Sequence, residues 1–326
     1  MMLRMTKHLS KIVLLAVLAL VPSITHAQNT TEELLPFGDM DQWLVRVVNE
    51  SFIIGGKTKY LYEIAPGDTL KNNTPYVNTV SPWATSTVMA KVSGVVKGSV
   101  TVFPEKRDSG YCARMETRME NVKVLGLINI SVLATGTIFL GKVIEPVQDT
   151  KNPQSKLSSG IPFTKRPTAL AFDYKVTPGG LQIKATGFSK IVKLKEQNRA
   201  EACLLLQKRW EDAEGNIYAK RIGTAYEQYG QDVTEWQNGH RIPVHYGNIT
   251  QEPYYKPFMD LVTGENTQYC QNSKGAMVPI QEVGWGEADE EITHIILRLS
   301  SGNGGAYIGA PDSKFWIDNV KLIYEQ

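Results

Sequence analysis

Short runs of alternating apolar and polar residues recur from Val88 to the end of the chain, and this pattern limits the fold more than any other feature of the sequence. The runs are separated by Gly, Pro, Asn, Asp and Ser, which is typical of half-buried strands joined by turns. We predict strands at 89–92, 98–103, 111–119, 136–140, 168–176, 202–209, 217–220, 242–246, 293–299 and 315–324. Helical character is confined to 32–44 and 254–262, and neither segment has a sustained apolar stripe. The sequence therefore predicts an all-β protein.

The two faces of the predicted strands differ in character. Within 168–176, Leu170, Phe172 and Tyr174 share one face, which should enter the core. Along 111–120, charges of opposite sign alternate on one face, and we favour a solvated face over a ligand groove there. We expect the last strand to pair beside the first. Residues 225–291 alternate little and predict loops carrying aromatic side chains, where function often lies.

The N-terminal residues have the order of a signal peptide. Arg4, Lys7 and Lys11 precede the apolar run 12–21, and Ala27 marks the predicted cleavage site. A membrane-spanning helix needs roughly 20 apolar residues, more than this run or any later one provides. We therefore expect residues 1–27 to be removed and residues 28–326 to form a single domain without a membrane span. This domain would be secreted, periplasmic or at the cell surface.

Charge and cysteine content exclude several classes of protein. The formal charge of +2 includes the basic residues of the leader, so the mature chain is nearly neutral and nucleic acid is not an expected partner. Cys112, Cys203 and Cys270 are far apart and allow at most one internal disulfide. The chain is therefore not a disulfide scaffold and must depend on its core for stability.

Five segments resemble a known family in their order and spacing. They are PWATS at 82–86, GYCARMET at 110–117, GIPFTKRP at 160–167, GNIYA at 215–219 and GAPDSKFWIDNV at 309–320. Together they resemble the putative carbohydrate metabolism domain (PCMD) family over most of the mature chain. The resemblance implies a secreted bacterial jelly-roll β-sandwich, similar in outline to carbohydrate-binding modules, but it implies no catalytic residues. The segment 247–289 is longer than the family pattern, and we interpret it as a long rim loop.

Aromatic residues in the predicted loops are the candidates for sugar binding. A sugar ring has an apolar C–H face and a perimeter of hydroxyls, so its sites combine a flat aromatic ring with planar polar groups. The candidate platforms, each with core or rim packing as the alternative, are Trp83, Trp236, Tyr254, Tyr255, Trp285 and Tyr307. Trp285 is the first choice because Gly284 and Gly286 should leave its ring accessible. We predict Trp316 to be a core residue because it shares a strand face with Val320.

Acidic residues offer two other kinds of site. Glycoside hydrolysis needs two carboxyl groups about 5 to 10 Å apart. Candidates for such a pair are Glu116, Asp173, Glu282 and Glu287. Resemblance to carbohydrate-binding sandwiches also suggests a structural Ca²⁺, which prefers carboxylate and backbone oxygens. Its ligands would include Asp39, Asp41 and Asp318, and no other cofactor is required.

Three functions follow from these observations. The leading one is binding or handling of a polysaccharide or oligosaccharide by exposed Trp and Tyr side chains, together with other glycan-utilisation proteins of the cell surface. The second is a glycoside hydrolase or related enzyme that uses a carboxylate pair. The third is a structural or adhesion component of the cell surface. A sandwich can serve any of them, so the fold does not choose.

Overall fold

The computed structural model describes residues 30–71, 73–92, 94–124, 128–149, 151–187 and 190–325, and the predicted signal peptide lies outside these ranges. The strands along the chain are β1 (Thr30–Leu34), β2 (Trp43–Asn49), β3 (Thr58–Ile64), β4 (Leu70–Lys71), β5 (Trp83–Thr85), β6 (Val88–Val92), β7 (Val95–Ser99), β8 (Val102–Arg107), β9 (Gly110–Glu116), β10 (Arg118–Val124), β11 (Ile128–Ala134), β12 (Thr137–Val143), β13 (Leu157–Ser159), β14 (Ile161–Pro162), β15 (Ala169–Thr177), β16 (Leu181–Lys184), β17 (Thr186–Gly187), β18 (Val192–Gln197), β19 (Ala200–Glu211), β20 (Ile217–Tyr229), β21 (Val233–Pro243), β22 (His245–Tyr246), β23 (Tyr269–Gln271), β24 (Met277–Trp285), β25 (His294–Ser300), β26 (Ile308–Gly309) and β27 (Lys314–Glu325). Short 3₁₀ turns lie at Phe52–Ile54, Pro153–Lys156, Pro257–Met259 and Gly264–Asn266.

Two large sheets form the body of the protein. The six-stranded sheet has the order β21-β15-β27-β9-β8, with β1 also paired to β27. The ten-stranded sheet has the order β14-β25-β19-β20-β24-β23-β13-β12-β5, with β22 paired to β20. The chain passes repeatedly from one sheet to the other, as in a jelly roll. The expected all-β fold is confirmed, and the long last strand does pair beside the first.

The main core lies between the two sheets. Phe172 and Val176 of β15 and Phe315 of β27 meet Leu204 of β19 and Leu297 of β25, and all five side chains are fully buried. Each strand supplies alternate residues to this layer, as the period of two requires. The predicted core face of the strand at 168–176 is therefore confirmed.

A second core lies on the other side of the ten-stranded sheet. Because β12 also pairs with β25, the hydrogen-bonded path β25-β19-β20-β24-β23-β13-β12 returns on itself as a ring of seven strands. A separate apolar cluster lines the inside of this ring, and it consists of Cys203, Leu205, Ile217, Ala219, Cys270, Ile280 and Ile296. Polar side chains on the same faces of β19 and β20 therefore also point into the ring.

Small sheets near the N-terminus pack beside the sandwich. One contains β3, β2 and β4, and β6 pairs with β7. Val48, Leu61, Met89 and Val100 form their common core. Arg46 forms an ion pair with Glu63 inside this unit and a second with Glu145, which follows β12 and so joins the unit to the ten-stranded sheet.

Neither of the two segments that could hold a turn or two of helix forms an α-helix. Within 32–44 the chain forms β1, a turn and the start of β2. The turn has positive φ at Phe37 and Met40, which an α-helix cannot contain, and β1 gains its hydrogen bonds from β27. Within 254–262 only Pro257–Met259 forms a single 3₁₀ turn.

The predicted loop region also needs correction. Residues 225–291 contain the end of β20, all of β21, and β23 and β24. The segment 247–289, interpreted as a rim loop, includes β24, which pairs in parallel with the central strand β20. Strand boundaries differ elsewhere too, because the predicted runs 98–103 and 111–119 are interrupted at Thr101 and Thr117, where one strand ends before the next begins.

Two further findings concern the whole described chain. All three cysteines are free and buried. In the described ranges, no helix is long and apolar enough to cross a membrane.

Candidate functional site

The outward face of the six-stranded sheet carries aromatic rings among its charged side chains. On β27, Phe315 and Ile317 enter the core, so Trp316 between them points outward. Its indole Nε1 donates a hydrogen bond of 2.9 Å to Glu105 Oε1. The prediction that Trp316 is a core residue is therefore wrong.

A bulge explains that error. Opposite β15, Ala171 pairs with Lys321 but Asp173 pairs with Asp318, so β27 contains one extra residue. Asn319 occupies it with φ of 51°, a left-handed conformation that asparagine adopts more readily than most residues. The extra residue reverses the alternation, which places Val320 in the core and Trp316 on the opposite face.

Aromatic rings and cations alternate in a row across this face. Neighbouring strands contribute Trp236, Lys175, Trp316, Arg114 and Phe103, and register pairs Lys175 with Trp316 and Trp316 with Arg114. The Lys175 ammonium lies 4.6 Å from the Trp316 ring centroid and 5.6 Å from that of Trp236. The Arg114 guanidinium lies 4.5 Å from the Phe103 centroid. Such cation–π contacts hold the rings in place while they remain partly exposed.

Arg107 completes the site from the tip of the β8–β9 hairpin. Its Nη1 donates to Asp173 Oδ2 at 2.9 Å and to Asp318 Oδ2 at 2.8 Å. Its guanidinium lies 3.9 Å from the ring centroid of Trp236, and its Nη2 donates to Asn238 on the opposite edge strand. In a flat sheet roughly 4.8 Å separates each pair of strands, which is too far for one side chain to cross the whole sheet. The hairpin tip therefore curls over this face.

We call this set the tryptophan face. Its members are Trp236, Trp316, Phe103, Arg107, Arg114, Lys175, Glu105, Asp173 and Asp318.

The two aspartates of the tryptophan face differ in acidity although they share Arg107. Burial alone would raise the pKa of Asp173, but hydrogen bonds from Asn319, the Gly239 amide and Arg107 outweigh it and lower the pKa. Burial dominates for Asp318 and raises its pKa to about 6, despite the amide of Asn319 and Arg107. Near pH 6 this face therefore changes its charge at Asp318 while Asp173 stays ionised.

The structure places only Trp236 of the six predicted platforms on the tryptophan face. Trp83 is fully buried and its indole donates to Pro36, so it cannot stack on a sugar. Tyr254 is exposed and stacks on His245, with ring centroids 3.8 Å apart.

The other three predicted platforms lie apart from this face. Tyr255, on the same loop as Tyr254, is partly buried. Trp285 is partly buried, with the Arg221 guanidinium 5.5 Å from its ring centroid. Tyr307 lines an apolar cleft of about 770 Å³, which Cys203 and Tyr226 of the ten-stranded sheet also line.

The four carboxylates predicted as a catalytic pair do not meet. Glu282 is buried in an ion pair with Arg221, which corrects the expectation that it faces outward. Glu116 is paired with Arg114, and Glu287 is exposed. Asp173 does lie beside a second carboxyl group, but its partner is Asp318.

The three predicted calcium ligands each have a different environment, and no contact joins them among the described residues. Asp318 is held by Arg107, and Asp41 Oδ1 accepts the Tyr111 amide at 2.7 Å. Asp39 Oδ1 is buried without a hydrogen-bond partner among the described residues. Within those residues no three His, Cys, Asp or Glu side chains form a group that could hold a metal ion. Calcium binding stays a prediction that this arrangement does not support.

Sequence reasoning missed most of the tryptophan face. Arg107 and Lys175 stand on ordinary strands, and a single sequence gives no sign that a hairpin tip reaches across a sheet. Trp210, which is 42% exposed and stacks on Tyr218, is a further exposed indole outside the predicted set. The Asp318-Asn319 dipeptide was the one available signal of a bulge.

Fold and site together define an all-β sandwich with an aromatic and charged outer face. The family model described as "Putative carbohydrate metabolism domain" matches residues 58–323. The chain therefore belongs to the putative carbohydrate metabolism domain family, and the resemblance seen in the sequence is confirmed.

Comparison with solved structures finds distant likenesses. A putative glycoside hydrolase from Bacteroides thetaiotaomicron is 17% identical with a TM-score of 0.46, over 86% of this chain and 71% of that one. A putative glycoside hydrolase from Bacteroides vulgatus is 13% identical with a TM-score of 0.41, over 91% of this chain and 96% of that one. A comparison with curated proteins gives no match.

Proposed function

We propose that this protein binds a polysaccharide outside the cytoplasm and that the tryptophan face is its binding surface. The observation that carries the proposal is the row of two partly exposed indoles separated by Lys175, with Arg107 and two carboxylates beside them. Indole rings offer apolar area for the C–H face of a sugar at little cost in rotamer entropy. The neighbouring guanidinium and carboxyl groups are the planar hydrogen-bonding groups that hydroxyls need.

Membership of a carbohydrate metabolism family supports the same proposal. The charged groups of the face are largely paired with each other, as Arg107 is with Asp173 and Asp318. A glycan would therefore gain from stacking and hydrogen bonding more than from net charge.

The test is retention of the mature chain, residues 28–326, on a panel of immobilised plant, host and bacterial polysaccharides. Trp316→Ala and Trp236→Ala should each weaken retention at least tenfold, since stacking and area burial at a central aromatic anchor are lost together. Trp285→Ala is the matched control, because it removes a partly buried indole outside this face. If Trp285→Ala weakens retention and the other two variants do not, the proposed surface is wrong.

A second candidate is hydrolysis of the bound glycan. The specific observation in its favour is that Asp173 and Asp318 both accept hydrogen bonds from one nitrogen of Arg107. The two bonds measure 2.9 and 2.8 Å, so the distance between the two accepting oxygens cannot exceed the sum of these lengths. Glycosidases of the retaining type hold two carboxyl groups roughly 5 to 5.5 Å apart and keep one of them protonated. Asp318, with its raised pKa, would be the acid of such a pair.

Released reducing ends, measured on the same panel, distinguish the two candidates. Release that is lost in both Asp173→Asn and Asp318→Asn would make this an enzyme. Retention without release supports a binding protein. Neither retention nor release would leave a structural role at the cell surface as the better description.

A further inference from the structure

Inside the ring of seven strands, two arginines lie near one glutamate, and only one of them is paired with it. Glu282 accepts hydrogen bonds from Arg221 Nε at 2.7 Å and from Gln207 Nε2 at 2.6 Å. Gln207 Oε1 in turn accepts from Arg209 Nε at 2.8 Å. The negative charge of Glu282 is thus paired directly with Arg221. Arg209 contacts only the neutral amide of Gln207, which lies between it and Glu282.

Arg209 has no anionic partner of its own. Its Nη1 donates to the Ser159 carbonyl at 3.1 Å, and the thiol of Cys270 lies in hydrogen-bonding contact with the guanidinium. Its buried Nη2 has no oxygen or nitrogen acceptor among the described residues. Among the described residues, no carboxylate forms an ion pair with the Arg209 guanidinium, whereas Arg221 is paired with Glu282. A buried cation without an anion is costly, so this arrangement favours a negatively charged ligand.

The groups around Arg209 do not supply the missing charge. Burial lowers the pKa of Arg209 to about 10, which leaves it charged at neutral pH. Burial, with a smaller effect of Arg209, lowers the pKa of His294 to about 4, so the imidazole is neutral. Burial raises the pKa of Cys270 and keeps its thiol protonated. Glu211 also lines the cavity, but its carboxylate accepts hydrogen bonds from the amide and the hydroxyl of Ser273 and forms no ion pair with Arg209 among the described residues.

Arg209 also borders a cavity large enough for a ligand. The cavity has a volume of about 650 Å³, and its wall includes Arg209, His294, Lys142, Ser158 and Gly160. Small-molecule sites commonly measure about 300 to 1,000 Å³. The wall carries two cations, Arg209 and Lys142, against one carboxylate, Glu211, so basic groups outnumber acidic ones there.

We propose that this cavity binds the anionic group, a carboxylate or a sulfate, of an acidic sugar, and that Arg209 is the cation that recognises it. The sugar part of the inference rests on the proposed function. The anion part rests on the uncompensated charge of Arg209. The site is separate from the tryptophan face, since it opens from the ten-stranded sheet.

The experiment is calorimetric titration of the mature chain with galacturonate, galactose 6-sulfate, galactose and the methyl ester of galacturonate. We expect one or both anionic sugars to bind and the two uncharged sugars to bind at least tenfold more weakly, because hydrogen bonds to a charged group contribute roughly this much. Binding of the acid alone identifies a carboxylate, and binding of the sulfate alone identifies a sulfate. Equal binding of galacturonate and its methyl ester would overturn the inference without need of any variant.

Arg209→Met, which keeps the length of the side chain and removes its charge, should abolish the preference for the anionic sugars. Lys208→Met is the matched control, because it removes a positive charge from the adjacent residue, which pairs with Glu290 instead of lining the cavity. An unchanged preference in Arg209→Met, or its loss in both variants, would refute the role of Arg209.

The two proposals fail separately. A chain that is retained by neutral polysaccharide through Trp316 but binds no acidic sugar keeps the proposed function and loses this inference. A chain that binds galacturonate through Arg209 but is not retained on any polysaccharide keeps this inference and loses the proposed function.

Discussion

Replacing Glu63 by Gln should remove a pH dependence that is built into the junction between the small N-terminal sheets and the sandwich. Arg46 Nη1 lies 2.9 Å from Glu63 Oε1, and its Nη2 lies 2.5 Å from Glu145 Oε2. All three side chains are almost fully buried. Glu145 also accepts the amides of Tyr76 and Met89, which leaves Glu63 as the less well solvated of the two acids.

Burial, together with the nearby charge of Glu145, raises the pKa of Glu63 from 4.5 to about 7 in spite of Arg46. The folded protein therefore holds this proton more tightly than the unfolded chain. Between pH 4.5 and pH 7 the unfolded chain ionises Glu63 freely while the folded protein resists, so stability falls as pH rises through this window. The shift corresponds to a loss of about 3 kcal/mol in the free energy of unfolding, fully reached above pH 7.

The measurement is urea unfolding at 25 °C, followed by tryptophan fluorescence at several values between pH 4 and pH 8. Glu63→Gln keeps a hydrogen-bonding oxygen for Arg46 but has no proton to lose. Its stability relative to the wild-type chain should therefore rise by about 3 kcal/mol from pH 4 to pH 8. Glu235→Gln, at an exposed position on β21, is the control and should follow the wild-type chain at every pH. Parallel curves for Glu63→Gln and the wild-type chain would show that Glu63 ionises as an ordinary glutamate, and the reasoning would be refuted.

Three other predictions follow from buried charges and thiols. Retention on polysaccharide should weaken as pH falls through about 6, because protonation of Asp318 releases its hold on Arg107, and Asp318→Asn should show no such step in affinity electrophoresis. Glu282→Ala should lower the free energy of unfolding by about 3 to 5 kcal/mol in urea, since it leaves Arg221 buried without its partner, and Glu282→Gln should cost less; equal losses would contradict this. A thiol reagent at pH 8 should modify no cysteine of the folded protein and all of them in urea, and reaction before unfolding would show an accessible thiol; the cysteines concerned are Cys112, Cys203 and Cys270.

The sequence was sufficient wherever local alternation decides the structure. Leu170, Phe172 and Tyr174 alternate without interruption on β15, and their face is the core face. The same rule failed on β27, because Asn319 inserts one residue and reverses the faces on either side of it. A period of two contains no information about where a bulge falls, so Trp316 was assigned to the wrong side.

Pairing between distant segments was the other point that the sequence left open. β24 lies about fifty residues beyond β20 and pairs with it in parallel, and this pairing is what places Glu282 beside Arg221. The sequence of neither strand indicates which strand it pairs with. Contacts such as that between Arg107 and Trp236 depend on the curl of a hairpin over a sheet and are set by the tertiary fold alone.

The segments that carry the family resemblance divide between the two proposed sites. Segments 110–117 and 309–320 contain all of β9 and the first half of β27, which pair side by side and supply Arg114, Trp316 and Asp318 to the tryptophan face. The segments 82–86, 160–167 and 215–219 are far apart in the sequence, yet Pro82, Ile161 and Ile217 all line the cavity beside Arg209. The same segments also supply core residues, among them Trp83, Met115 and Phe315, so their positions serve packing as well as the two proposed sites. Variants at Trp316 and Arg209 separate these roles, because each side chain belongs to one proposed site and neither is in the main core, which is the reason to test the two sites in the same chain.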